Sequence, residues 1–198
     1  FDNQIYIKKL KLLPNEITYL KRLASFTNPK FYELQKLRMP IFYKTTPRII
    51  SCFEDDERFL KLPRGCIDKV SEICEKSNVN LIIKDTRENG IRTDYKFNGK
   101  LNNKQEKVMK ELLKHDVGVL CATTGFGKTV VGAKIISELK TNTLIIVNRN
   151  NLLEQWKERL SYFLNINKKD IGQIGASKEK PNGKLDIASF QYLYKKDN

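Results

Sequence analysis

Two spacings of apolar residues run through the first part of the chain and predict a mixture of strands and helices. Residues 4–10 alternate apolar and polar side chains, as a half-buried strand does. Apolar residues three or four positions apart follow Pro14 and also follow Asn28-Pro29, where asparagine would cap a helix and proline would open it. The same reasoning predicts strands at 48–53, 58–62 and 79–84 and a helix at 66–76. These elements describe a small α+β domain.

The pattern changes after a polar, turn-rich stretch at residues 85–100. Short apolar runs at 117–121, 143–147 and 184–191 predict strands, and helical patterns lie between them. Strands that alternate with helices form a parallel sheet covered by helices. We therefore predict an α/β domain at 97–198, preceded by a small α+β domain at 1–96.

The composition is that of a globular protein with an excess of cations. The chain has 198 residues, of which 40% are hydrophobic, and a formal net charge of +14. Clustered lysine and arginine suit a polyanionic partner such as nucleic acid. An abundance of Lys, Asn and Ile also arises from AT-rich coding sequence, so charge alone does not separate the two explanations.

The four cysteines and the single histidine do not have the spacing of a metal site. Cys52, Cys66, Cys74 and Cys121 form no C-x-x-C pair, and His115 has no second ligand nearby. Buried thiols in a reducing compartment are the default interpretation. No signal peptide is visible, and no apolar run approaches the roughly 18 residues of a membrane span. We therefore expect a cytoplasmic protein.

Two features of the first domain are candidates for binding. The acids at residues 54–57 could hold a metal, but such a run is more typical of a solvated turn. Basic and aromatic residues at 30–44 have the composition of a surface that stacks bases and contacts phosphates. Their helical spacing also fits aromatic side chains in a core, so a nucleic-acid role for this domain is a hypothesis.

The strongest motif is Ala122 to Thr129 (ATTGFGKT), which follows an apolar run and opens a helical pattern. It departs from G-x-x-x-x-G-K-S/T only at its first position, where alanine replaces glycine. Gly125 and Gly127 allow the backbone to turn sharply and to present successive N–H groups to phosphate oxygens. Lys128 would reach the β- and γ-phosphates of ATP, and the Thr129 hydroxyl would bind Mg²⁺. The alternative is a glycine-rich turn with a surface lysine.

Gln105 allows two interpretations. It lies in the first turn of a predicted helix, where its side chain would complete a capping box with Asn102. Its amide could instead donate to and accept from adenine.

Polar side chains also follow two of the predicted strands. Asn148 and Arg149 follow the run at 143–147, and Ser189 and Gln191 end the run at 184–191. The carboxyl ends of parallel strands form the ligand edge of an open α/β sheet. We therefore expect these side chains to face a ligand.

Four segments, in order along the chain, resemble superfamily 2 helicases. Gln105, residues 122–129, residues 144–156 (LIIVNRNNLLEQW) and residues 186–193 (DIASFQYL) are similar to the adenine-reading glutamine and to motifs I, Ia and Ic. The resemblance points to the DEAD/DEAH-type branch that contains XPB, UvsW and the Res subunits of type III restriction enzymes. Within it, residues 62–66, 125–131 and 171–175 are similar in particular to the helicase of TOTE conflict systems.

The resemblance implies the first RecA-like lobe of a helicase, which binds ATP with Mg²⁺ and carries one nucleic-acid strand. DNA is favoured as that strand, and RNA is left open. It implies that Gln105 reads adenine, that Lys128 and Thr129 are catalytic, and that Asn148, Arg149, Ser189 and Gln191 contact the strand. The phosphates would lie on Thr124, Gly125, Phe126, Gly127, Lys128 and Thr129. Contacts to phosphate position a strand without reading its sequence.

Such helicases also need an acidic motif II and a second lobe with an arginine finger. The resemblance implies that both lie after Asn198, so we expect this chain alone to bind nucleotide weakly and to hydrolyse essentially none. We also expect an exposed sheet edge that a second copy could cover. The alternatives are a duplex translocase that does not separate strands, a different P-loop enzyme such as a small-molecule kinase, and a nucleic-acid-binding module with a relic loop.

Overall fold

The chain divides into two compact units, Phe1–Glu88 and Asn89–Asn198. The computed structural model describes residues 3–77 and 79–196. The first unit mixes antiparallel strands with helices, and the second is an α/β unit with a largely parallel sheet. The predicted fold class is confirmed.

The first unit is built from two antiparallel sheets and three helices. Its elements are β1 (Gln4–Lys8), α1 (Pro14–Leu23), β2 (Ser25–Thr27), α2 (Pro29–Lys36), β3 (Ile49–Ser51), β4 (Glu54–Asp55), β5 (Phe59–Pro63) and α3 (Ile67–Lys76). Strand β5 lies between β1 and β4, and β2 pairs with β3. The buried side chains of the core are Ile5, Leu20, Ala24, Leu60, Leu62 and Val70.

The second unit contains four helices and a four-stranded sheet. Its elements are α4 (Asn103–Leu112), α5 (Lys128–Leu139), β6 (Thr143–Val147), α6 (Asn150–Leu164), β7 (Gly172–Gly175), β8 (Lys178–Lys180), β9 (Leu185–Ser189) and α7 (Phe190–Lys196). The strand order is β6-β9-β7-β8. Strands β6, β9 and β7 are parallel, and β8 runs antiparallel to β7.

Helices α5 and α6 pack together beside this sheet at a glycine. A Cβ atom added at Gly132 would lie 3.0 Å from the ring of Trp156. The small residue therefore allows the two helices to approach closely. The main core joins these helices to the sheet through Ala133, Ile136, Val147, Leu153, Leu160, Leu164, Ile171, Leu185 and Ile187.

Two predicted strands are wrong. Residues 79–84 form no strand, and the side chain of Ile82 is largely exposed. Residues 117–121 pair with no strand among the residues that the structure describes, and Val119 is 93% exposed. An apolar run becomes a strand only when a neighbouring strand takes up its backbone hydrogen bonds, which local pattern does not reveal.

The other two predicted strands of the second unit correspond to β6 and β9, whereas β7 and β8 were not predicted. Strand β6 has the predicted bounds, and β9 ends at Ser189, so Gln191 belongs to the first turn of α7 rather than to the strand. In the parallel pair, Val147 lies opposite Ser189. The two strands therefore end at the same edge of the sheet, as predicted.

No helix in the described ranges combines the length and the apolar character needed to cross a membrane.

A candidate nucleotide site at the start of helix α5

The loop before α5 has the backbone conformation that its glycines predict. Gly125 has φ +83° and Gly127 has φ +89°, both in the left-handed region that favours glycine. Helix α5 begins at Lys128, directly after Gly127. The first N–H groups of a helix have no acceptor within the helix and carry the positive end of its dipole. The loop and helix therefore form a backbone site for an anion.

The ammonium group of Lys128 lies inside the curve of this loop. Its Nζ donates to the carbonyl of Ala122 at 2.8 Å and to the carbonyl of Thr123 at 2.9 Å. The side chain is exposed, while Thr129 in the first turn of α5 is half-buried. An ammonium group beside backbone N–H donors suits a phosphate chain, because phosphate oxygens can accept from both kinds of donor.

Gln105 connects this loop to the start of α4. Its side-chain Oε1 accepts from the backbone N–H of Asn102 at 3.0 Å, and the side chain of Asn102 accepts from the backbone N–H of Gln105 at 2.9 Å. This is the predicted capping box, complete on both sides. The same amide donates through Nε2 to the carbonyl of Phe126 at 2.7 Å. The glutamine that caps the helix therefore also touches the phosphate loop.

The amide of Gln105 keeps hydrogen-bonding capacity for a ligand. A glutamine amide has two N–H donors and two acceptor lone pairs. The contacts to Asn102 and Phe126 use one of each, so one donor and one lone pair remain. Adenine presents an acceptor beside a donor on its edge, which matches that remaining pair. The side chain that carries this remaining pair is only 8% exposed.

Both the backbone angle of residue 127 and the lack of space for a Cβ atom there require glycine. A Cβ atom at this position would lie 2.6 Å from Nε2 of Gln105. At Gly125 an added Cβ atom would meet nothing within 4 Å, so the loop is open there. The residues fit a phosphate chain that lies against Gly125 while Gln105 supports the loop at Gly127.

Phe126 anchors the loop through its side chain. The ring is half-buried and packs with a small cluster formed by Leu101, Met109 and Val131. Leu101 precedes α4, Met109 lies within it, and Val131 lies in the first turn of α5. Sequence reasoning treated Phe126 only as part of the loop. Its role as the link to α4 needed the three-dimensional contact.

The predicted strand-contacting residues differ in their exposure. Asn148 and Arg149 follow β6 and are exposed, and Gln191 is exposed in α7. Ser189, at the end of β9, is only 1% exposed. A Cβ atom added at Gly175 would lie 2.8 Å from Cβ of Ser189, so this serine packs against β7. Because Val147 lies opposite Ser189 in the register of β6 and β9, Asn148, Arg149 and Gln191 all follow the carboxyl end of the sheet.

Helix α7, which carries Gln191, is fastened to β8 by an ionic contact. Lys196 and the Tyr192 hydroxyl both donate to the carboxylate of Glu179. These two hydrogen bonds, that of Lys196 first, hold the pKa of Glu179 below its ordinary value. Because this carboxylate is exposed, the contact fixes the position of α7 but contributes little to the free energy of unfolding.

Lysines pair with the acids at residues 54–56, and Glu54 and Asp56 share Lys61. Asp55 pairs with Lys9 and Lys21, and Glu54 pairs with Lys61. Across the described ranges, no group of three or more His, Cys, Asp or Glu side chains is placed to hold a metal.

The second unit is thus an α/β unit with a glycine-containing loop directly before α5, and a unit of antiparallel strands and helices precedes it along the chain. The model of one family, the type III restriction enzyme res subunit, matches residues 98–198. The chain belongs to this family, and its relatives place it among the superfamily 2 helicases.

Two curated relatives and one solved structure illustrate the similarity. The chain is 38% identical over 94 residues to the DNA 3'-5' translocase XPB2 of Sulfurisphaera tokodaii, a match that covers 48% of this chain and 20% of that protein. It is 38% identical over 81 residues to the putative helicase 161L of Invertebrate iridescent virus 6, covering 38% of this chain and 18% of that protein. The chain thus spans about a fifth of the length of these relatives.

The crystal structure of the UvsW helicase from bacteriophage T4 has a related fold. It superposes with a TM-score of 0.62 at 15% identity and covers 93% of this chain and 72% of that one. At this identity the likeness is one of fold. It supports a RecA-like arrangement for the second unit.

Proposed function

We propose that residues 97–198 form the nucleotide-binding part of the first RecA-like lobe of an ATP-dependent helicase or translocase, with residues 1–96 as an accessory domain. The observation that carries this proposal is the contact between Gln105 and the loop at Phe126. A capping glutamine that also contacts the loop supports a site in which this amide reads the base while the loop binds the phosphates. A plain glycine-rich turn would need no such partner.

The ligand of this site is ATP with Mg²⁺. The loop N–H groups and Lys128 would bind the β- and γ-phosphates, and the hydroxyl of Thr129 would be a ligand of the metal. Thr124, Gly125, Phe126 and Gly127 supply the rest of the phosphate-binding backbone. When bound, ATP supplies the free energy that drives movement along nucleic acid. Gln105 would select adenine through its remaining donor and lone pair.

Nucleic acid, DNA rather than RNA, would bind across the carboxyl ends of β6 and β9. Asn148, Arg149 and Gln191 are exposed there and suit contacts to phosphate, which position a strand without reading its sequence. The role of Ser189 rests on the family resemblance, because the side chain is buried in this structure. A second lobe would complete the motor, and the free edge of β6 is where self-association would occur.

Translocation on duplex without strand separation is the second candidate. One relative is named a DNA 3'-5' translocase, and others are named helicases. Both activities use the same nucleotide site and the same strand contacts, so the residues described above serve either.

The test is whether nucleic acid and nucleotide binding are coupled. Mg·ATP is titrated into the chain by calorimetry with and without a saturating oligothymidylate, and the oligothymidylate is titrated with and without Mg·ATP. A motor lobe predicts that each ligand changes the affinity for the other by the same factor. A small-molecule kinase predicts a nucleotide affinity that the oligothymidylate leaves unchanged, and a relic loop predicts no nucleotide binding. Either result would contradict the proposal.

A further inference from the structure

Residues 25–51 of the first unit fold back on themselves as a closed module. Phe26 of β2 lies opposite Ile50 of β3. The side chain of Asn28 donates to the carbonyl of Pro47 at 2.8 Å, and its backbone N–H donates to the carbonyl of Arg48 at 2.9 Å. Asn28 also caps α2 through the N–H of Lys30, as predicted. Asn28 thus holds residues 47 and 48 against the start of α2.

Aromatic rings cover the outside of this module. The buried ring of Phe31 lies 5.4 Å from that of Tyr32 and 5.9 Å from that of Tyr43, between ring centroids. Phe42 and Tyr43 are each 70% exposed. Rings this exposed add little to the core, and grouped exposed apolar side chains mark interaction sites. We call Tyr32, Phe42 and Tyr43, together with Lys36, Arg38, Lys44 and Arg48 of the same segment, the aromatic surface.

The same module has a strong excess of positive charge. Between residues 25 and 51 the cations are Lys30, Lys36, Arg38, Lys44 and Arg48, and the single acid is Glu33. Glu33 is paired with Lys30 at 3.1 Å. Among the described residues, Lys36, Arg38 and Lys44 have no carboxylate partner, and Arg48 donates to the Tyr32 hydroxyl at 3.1 Å. The segment that carries the rings therefore has an excess of positive charge, and three of its cations have no carboxylate partner among the described residues.

Arg38 occupies a backbone position that favours glycine. It has φ +53° just after α2 and donates to the carbonyl of Gln35, while Met39 donates to the carbonyl of Leu34. These two bonds form a Schellman motif, in which the left-handed residue is usually glycine. A positive φ is less favourable for arginine than for glycine, so a change of Arg38 to glycine removes the charge without straining the backbone.

We propose that the aromatic surface binds a single nucleic-acid strand, independently of ATP. Flat exposed rings offer stacking to bases, and unpaired cations beside them offer contacts to phosphates. A single strand supplies both, whereas a duplex keeps its base faces covered. The surface goes beyond the proposed motor function, because it lies in the first unit and uses none of the residues of the nucleotide site.

The first test separates stacking from charge. The chain is titrated against a fluorescein-labelled oligothymidylate of about 20 nucleotides, and against an abasic strand of the same length, by fluorescence anisotropy. Phe42→Ala weakens binding of the oligothymidylate about fivefold or more, the loss expected for one stacked base, and leaves binding of the abasic strand unchanged. Lys44→Gln weakens both strands and lowers the logarithmic salt slope by about 0.7.

Tyr19→Ala is the matched control for Phe42→Ala. Tyr19 is an exposed aromatic residue on α1 of the same unit, outside the aromatic surface. This variant leaves the affinity for the oligothymidylate within about twofold of the wild type. An equal loss in Tyr19→Ala and Phe42→Ala would overturn the proposal, because it would show a general effect on the fold.

The second test uses two cationic residues whose backbone angles lie in the left-handed region, Arg38 and Lys140. Arg38→Gly relieves the backbone while it removes a charge, so the melting temperature stays the same or rises and the affinity for the oligothymidylate falls. Lys140→Gly makes the same change at the end of α5, where Lys140 has φ +51°, and leaves strand affinity unchanged. Unchanged affinity in both Arg38→Gly and Phe42→Ala would overturn the proposal. So would a change only in self-association, measured by sedimentation, since the surface would then bind protein.

Discussion

The side-chain amide of Gln105 donates to the backbone carbonyl of Phe126 over 2.7 Å, across a separation of 21 residues. The contact joins the cap of α4 to the phosphate loop before α5. Its consequence is that the shape of the loop depends on a residue outside the loop motif. Changes at Gln105 or at its neighbour Gly127 therefore act on nucleotide binding through the same hydrogen bond.

Gly127→Ala destabilises the chain by strain and by displacing Gln105. The left-handed angle costs about 1–2 kcal/mol for alanine. The new Cβ would also lie 2.6 Å from Nε2 of Gln105, which must swing away and lose its bond to Phe126, at about 1 kcal/mol. The free energy of unfolding, measured in urea, gives the total.

Gly183→Ala is the matched control for that change. Gly183 has φ +71° with nothing within 4 Å of the added Cβ, so the variant carries the strain without the clash. Gly127→Ala is expected to lose about 1 kcal/mol more than Gly183→Ala. Equal losses would mean that the contact between Gln105 and the loop contributes nothing.

Gln105→Glu and Gln105→Ala separate capping from loop contact. Glutamate keeps an acceptor for the N–H of Asn102 but has no N–H to donate to Phe126. Alanine loses both contacts. We expect the preference for ATP over GTP to disappear in both variants, measured by competition binding. Helix α4 exchanges its amide hydrogens faster only in Gln105→Ala, because the missing cap costs about 1 kcal/mol. A retained preference for ATP in either variant would show that Gln105 is only a cap.

Lys128→Ala lowers the affinity for Mg·ATP about tenfold or more, because charge-assisted hydrogen bonds to phosphate are lost. The fold is unchanged, since the side chain is exposed and alanine is favourable in the first turn of a helix. Calorimetry measures the affinity and thermal melting checks the fold. Lys107→Ala, at an exposed cation on α4, should leave nucleotide affinity as it is.

Arg149→Ala weakens binding of single strands about equally for all base sequences. One phosphate contact fewer lowers the logarithmic salt slope by about 0.7 for a single strand. The measurement is strand affinity at several salt concentrations with two oligonucleotides of different sequence. Arg159→Ala, an exposed arginine farther along α6, is the comparison. A loss confined to one base sequence would contradict a backbone contact.

Local features of the site could be predicted from the sequence. Strand β6 has the predicted bounds because its apolar run is enclosed by polar residues on both sides. The capping box of Asn102 and Gln105 is confirmed for the same reason, since both partners lie within one helical turn. The left-handed angles of Gly125 and Gly127 follow from the loop motif itself.

Features that depend on distant partners could not be predicted in this way. The apolar run at 117–121 has the composition of a strand, but strand formation depends on a neighbour that local pattern does not show. The bond from Gln105 to Phe126 and the burial of Ser189 against Gly175 likewise depend on how separate segments meet. The proposed adenine-reading role of Gln105 comes from the resemblance to helicases and not from the local pattern.

The most direct test of the nucleotide site is an NMR titration of the ¹⁵N-labelled chain with a non-hydrolysable ATP analogue and Mg²⁺, since it also detects weak binding. The account predicts that the largest shifts fall on the backbone amides of residues 124–129 and on the side-chain amide of Gln105. It also predicts that Lys128→Ala suppresses them. Shifts that cluster elsewhere and leave the loop and Gln105 unchanged would contradict it.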